Sequence, residues 1–169
     1  MPSTRQRITV IGTGCIGASI GMALRLSKDA DHLEVMGHDK EPGRARQAEK
    51  LGAFDRIALN LDVALRGAQL VIVAVPLSAT REVLQDVGAL LPPNSGVVVT
   101  DTAPLKMPTI AWAEDALPTG VHYVGGDPFL APGIGGWEPL QGIADADAEL
   151  FESAVYAVTA RAEDHPSAV

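Results

Sequence analysis

One stretch near the start of the chain constrains the fold more than any other. Arg7-Ile8-Thr9-Val10-Ile11 runs straight into Gly12-Thr13-Gly14-Cys15-Ile16-Gly17, and a helical pattern follows. A short apolar strand, a G-x-G-x-x-G turn and a helix, with an acid further on, form a dinucleotide-binding fingerprint. The acid is Asp39, 22 positions after Gly17, at the end of a second apolar run, Leu33-Glu34-Val35-Met36-Gly37-His38. Each residue type has a chemical reason. Gly12 permits the tight turn out of the strand, Gly14 lets the backbone approach a pyrophosphate, and Gly17 lets the helix pack closely on the sheet. The pyrophosphate would lie over the helix N-terminus, where free N–H groups and the helix dipole favour an anion. Gly12, Thr13, Gly14, Cys15, Ile16 and Gly17 are therefore candidate cofactor contacts. Asp39 would accept hydrogen bonds from the adenosine ribose and repel a 2′-phosphate, which predicts NAD in preference to NADP. Lys40 and Arg44 lie just beyond and would soften that preference.

The rest of the chain alternates strand and helix patterns. Strands are expected at about 7–11, 33–38, 57–58, 70–75, 97–100, 121–124 and 155–159. Helices are expected at about 15–28, 41–51, 61–66, 78–91, 106–116 and 145–151. Leu70-Val71-Ile72-Val73-Ala74-Val75 is a continuous apolar run ended by Pro76, as in a central parallel strand buried on both faces. The alternation predicts one α/β domain over 1–169: a Rossmann-type, doubly wound, mostly parallel sheet with helices on both faces. Ligands of such sheets bind beyond the carboxyl ends of the strands. Those ends carry the glycine turn, Asp39, Val75-Pro76-Leu77-Ser78, Thr100-Asp101-Thr102 and Gly125-Gly126-Asp127.

Composition narrows the class. With 169 residues, 47% hydrophobic and 20% charged, the chain suits one globular domain. A net charge of −8 disfavours nucleic acid and anionic membranes as partners. Residues 1–7 lack the apolar stretch of a signal peptide, and no apolar run is long enough to span a bilayer; both point to the cytoplasm. Cys15 is the one cysteine, and the four histidines form no metal-ligand spacing with it. At a helix N-terminus its thiol pKa would fall, but its place in the fingerprint suits a small buried packing group.

With these residues assembled, the chain resembles the nucleotide-binding domain of prephenate and arogenate dehydrogenases. The likeness covers nearly the whole chain. It rests on Val10–Ser19, Ala74-Val75-Pro76, Val99-Thr100-Asp101-Thr102-Ala103-Pro104-Leu105-Lys106, Tyr123-Val124-Gly125-Gly126-Asp127-Pro128 and the segment 144–159. It implies NAD-linked oxidative decarboxylation in the making of tyrosine precursors. Two positions depart from the family. Its catalytic histidine, after the Gly-Gly pair, is here Asp127; its supporting serine is here Pro104. An ordinary aspartate, with a pKa of about 3.9, is a poor base toward an alcohol, and a turn before Pro128 is the other role for this residue. The resemblance also implies a C-terminal helical domain that binds substrate and dimerises, and residues 1–169 are expected to be the nucleotide-binding domain without it.

Asp101 and Thr100 have two readings, a contact near the nicotinamide ribose or a cap of the next turn. Val75 and Pro76 would shape the loop beside that ribose. Lys106 is read as a helix cap or a solvent-facing residue. Three functions remain open: half of a dehydrogenase whose helical domain lies elsewhere, a non-catalytic NAD-binding sensor or partner subunit, or a dehydrogenase using Asp127 on another hydroxy acid. Exposed apolar residues around Phe129, Leu130, Ile134 and Trp137 would favour a docked helical partner or a homodimer.

Overall fold

The computed structural model describes residues 5–130, 140 and 142–160. Its strands are β1 (Gln6–Ile11), β2 (Leu33–His38), β3 (Arg56–Ala58), β4 (Leu70–Val73), β5 (Val98–Asp101), β6 (His122–Phe129) and β7 (Val155–Thr159). Its helices are α1 (Cys15–Leu26), α2 (Pro42–Lys50), α3 (Leu61–Leu65), α4 (Leu77–Leu90) and α5 (Lys106–Ala116). The strands form a sheet of order β3-β2-β1-β4-β5-β6-β7. β1 to β6 pair in parallel, and β7 runs antiparallel to β6. The doubly wound, mostly parallel architecture read from the sequence is the one observed.

Alternation along the central strands explains why both faces are covered. Ile8, Val10, Val35 and Ile72 pack with Ala18 of α1, Ala48 of α2 and Phe54. Ile11, Val71, Val73 and Val99 turn the other way and pack with Leu65 of α3, Leu84 and Val87 of α4 and Ala113 of α5. Branched apolar residues on both sides of β1 and β4 leave no face for water, so these strands read as continuous apolar runs. Trp112 is half-buried against the second of these layers.

Two elements differ from expectation. Gly125-Gly126-Asp127-Pro128 is not a loop beyond a strand end: β6 continues through Phe129 and pairs with β7, Asp127 opposite Ala157. Pro128 has no N–H to give, but it lies next to the sheet's edge, where such a residue is tolerated. The helix expected at 145–151 is instead a single 3₁₀ turn at Ile143–Asp145, followed by turns. Of the expected span only Leu150 is buried, so no apolar face at helical spacing drives a longer helix. Among the described residues no helix is long and apolar enough to cross a membrane.

Candidate functional site

The glycine turn joins β1 to α1 with three different jobs for its three glycines. Gly12 has φ of +93°, and a Cβ there would strike the Ala74 carbonyl of the neighbouring strand connection. A Cβ on Gly17 would strike the Gly12 carbonyl and sit 3.3 Å from the Ala74 Cβ, so its bareness seats α1 on the turn. Gly14 is the contrast: a Cβ there meets nothing within 4 Å. Its backbone faces open space. Gly14 is also the N-cap of α1, and no side chain caps that helix end. The first N–H groups of the helix are thus free of side-chain partners, which is the arrangement that receives an anion.

Asp39 stands beside this turn and is almost fully buried. Its Oδ2 accepts from the Thr13 N–H at 2.9 Å and from the Thr13 hydroxyl at 3.1 Å, while Oδ1 accepts from the Glu41 N–H at 2.9 Å. A carboxylate has about four acceptor positions; three are taken, and one on Oδ1 remains. Arg44 lies 3.8 Å from Oδ2 and 3.1 Å from Glu41. His38 fixes the end of β2 by donating from Nδ1 to the Ala58 carbonyl at 2.9 Å.

A groove of about 880 Å³ runs over these groups. Gly12, Gly14, Asp39, Val75 and Pro76 line it, five of the residues singled out in the sequence. Lys40, Glu41 and Arg44 line it from the β2–α2 side, and Ser78, Glu82 and Asp86 from α4. Gly142 and Ile143 close one wall, a contribution the sequence did not reveal. They are brought there by contacts distant in sequence. The Asp147 N–H donates to Ser19 Oγ at 3.0 Å, and the Cys15 thiol donates to the Asp145 carbonyl at 3.4 Å.

The other candidates sit apart from the groove lining. Thr13 and Gly17 are buried within the turn, and Ile16 is partly exposed beside them. Cys15 is buried, and burial pushes its thiol pKa up, as befits a packing group rather than an activated thiol. Thr100 is half-buried at the end of β5. Asp101 has no solvent exposure and neither caps a turn nor faces the groove. Its Oδ1 accepts from Lys106 Nζ at 2.6 Å and from the Gly126 N–H at 3.0 Å. Lys106 also donates to the Gly126 carbonyl at 2.6 Å, so it is neither a cap nor solvent-facing. Asp101 Oδ2 and the neighbouring Tyr123 hydroxyl are buried with no well-formed hydrogen bond among the described residues. The Tyr156 hydroxyl donates to the Asp101 carbonyl at 3.2 Å.

Asp127 lies in β6, half-buried, near Tyr156 and outside the groove lining. Pro104 is exposed in the loop before α5. Phe129 is exposed, whereas Leu130 is half-buried; Ile134 and Trp137 lie outside the described residues.

A central parallel sheet, a glycine turn at its β1–α1 crossover and a groove reaching the acid at the end of β2 define a Rossmann-type domain. Residues 22–169 match the family model described as prephenate dehydrogenase, nucleotide-binding domain, and the chain belongs to that family. The match begins beyond Gly17, so it is independent of the glycine fingerprint. The chain is 31% identical over 160 residues to a prephenate dehydrogenase of Lactococcus lactis subsp. cremoris, covering 94% of this chain and 42% of that protein. It is 29% identical over 163 residues to one from Bacillus subtilis, covering 94% of this chain and 40% of that protein. It therefore spans about two fifths of the length of these relatives. The fold matches prephenate dehydrogenase from A. aeolicus in complex with hydroxyphenyl propionate and NAD+, with a TM-score of 0.80 and 22% identity over 99% of this chain and 55% of that one. Synechocystis arogenate dehydrogenase matches with a TM-score of 0.80 and 24% identity, covering 96% and 52%.

Proposed function

We propose that this chain is the NAD-binding part of a prephenate-type dehydrogenase, with little or no turnover on its own. The observation that carries the proposal is the shared groove: an uncapped helix N-terminus at Gly14 and a fixed carboxylate at Asp39 open into one cavity. Those groups fit the pyrophosphate and the adenosine ribose of an adenine dinucleotide. The uncapped helix N-terminus at Gly14 would hold the pyrophosphate. The free acceptor on Asp39 Oδ1 would take one ribose hydroxyl. Val75 and Pro76 would border the nicotinamide end. When bound, NAD supplies the hydride acceptor of an oxidation.

Selectivity for NAD over NADP follows from charge. Asp39, Glu41, Glu82 and Asp86 line the groove against Lys40 and Arg44, so acids outnumber bases. A 2′-phosphate would add negative charge to a groove that already carries an excess of it.

Low turnover follows from what stands at the two departing positions. Pro104 offers no hydroxyl, and Asp127 is held in a strand pair outside the groove lining. The same observation favours a second reading, a non-catalytic NAD-binding partner subunit that works with a helical-domain protein or as a homodimer. Calorimetric titration of NAD and NADP, with and without prephenate, tests the proposal. Micromolar binding of NAD with weaker NADP supports it. Binding of neither nucleotide overturns it.

A further inference from the structure

The cation nearest Asp39 is not free. Arg44 projects from the first turn of α2 with Nη2 at 3.1 Å from Glu41 Oε2 and Nη1 at 3.8 Å from Asp39 Oδ2. Its guanidinium is the kind of planar fork that binds a phosphate in bidentate fashion. Two carboxylates already occupy it. They differ in how firmly they are placed. Asp39 is buried and locked by three hydrogen bonds, two from Thr13 and one from the Glu41 backbone. The Glu41 side chain is 58% exposed and the Arg44 side chain 43% exposed, so this pair is the movable part of the cluster.

We infer that Glu41 is a second determinant of nucleotide selectivity, acting by keeping Arg44 from engaging a 2′-phosphate. The inference rests on the NAD reading above. Asp39 repels the phosphate directly. Glu41 withholds the arginine that would compensate. Lys40, exposed beside Asp39, has a flexible point charge and no fork to replace it.

The test compares wild type, Glu41→Gln and the double variant Glu41→Gln/Arg44→Ala, reading the ratio of NADP to NAD affinity by calorimetry at low salt. Freed of its partner, Arg44 should raise the ratio about fivefold in Glu41→Gln, the scale of an exposed ion pair. Removing Arg44 as well should cancel that gain. A ratio unchanged in Glu41→Gln, while wild type still binds NAD, overturns the inference and leaves the NAD reading standing. A gain that persists in the double variant also overturns it, because Arg44 would then not be the route. Failure of wild type to bind NAD removes the reading on which it rests.

Discussion

Lys106 Nζ lies 2.6 Å from Oδ1 of Asp101, a carboxylate with no solvent exposure. The lysine reaches past its own helix turn to the end of β5 and then to the Gly126 carbonyl of β6. Desolvating both charges is costly, and the pair endures because each end is hydrogen-bonded as well as paired. Removing one partner is therefore worse than removing both. Lys106→Met should lower unfolding stability by about 3 kcal/mol in urea. Adding Asp101→Asn should recover part of that loss, since no charge is then buried alone. A loss below about 1 kcal/mol for Lys106→Met would show that the pair behaves like a surface bridge.

The glycines separate folding from binding. Gly14→Ala introduces a Cβ into open space, so stability should change by no more than about 1 kcal/mol. The same methyl would stand between the helix end and a pyrophosphate, and NAD affinity should fall at least about tenfold. Gly17→Ala forces α1 off the turn and should cost roughly 2–3 kcal/mol of stability. Thermal unfolding and nucleotide titration on both variants check the contrast. Equal effects of the two substitutions on stability would refute it.

Asp39 serves the fold as well as the groove. Asp39→Ala leaves the buried Thr13 N–H and hydroxyl without their acceptor, at a cost of about 1–3 kcal/mol. Asp39→Asn keeps one acceptor oxygen but turns an NH2 toward a backbone N–H, so it should lose less stability than Asp39→Ala while weakening discrimination against NADP. Denaturation curves and nucleotide affinities on the two variants separate these roles.

Alkaline pH should unfold the protein through its tyrosines. Burial raises the pKa of both Tyr123 and Tyr156, and the nearby Asp101 carboxylate pushes each further up. In the unfolded chain both titrate near the ordinary value of 10.0. Above that pH the unfolded state has fewer bound protons than the folded one, so stability falls as pH rises. It is fully present below about pH 10 and declines beyond. Tyr123→Phe should flatten this decline. Phenolate absorbance from buried Tyr123 should appear at higher pH than that of the unfolded chain.

Incubated with NAD and prephenate, the chain alone should form NADH no faster than background. NADH formation abolished by Asp127→Asn would instead assign the base to Asp127.

The sequence exposed the local devices and missed the distant ones. Gly12, Gly14, Gly17 and Asp39 were legible because a strand-turn-helix fixes their relative places within some thirty residues. β1 and β4 were legible from branched apolar runs. Lys106 was not: its spacing from Asp101 fits a helix cap, and only the approach of Gly126 from β6 makes it a buried partner. The extension of β6 through Pro128 was hidden by Gly-Gly and Asp-Pro, which locally signal a turn. The antiparallel partner β7 overrides that signal. Ile143 carried no local mark at all, because its place in the groove depends on Ser19 and Cys15, well over a hundred positions earlier.

That last contact bears on how the molecule is made. The glycine turn and α1 leave the ribosome more than a hundred residues before Gly142 and Ile143, which complete one wall of the groove. Because domains take shape as units during translation, from the N-terminus onward, an emerging chain would display the open helix end long before its groove is complete. Completion of that wall thus waits for the segment around Asp147 to reach Ser19.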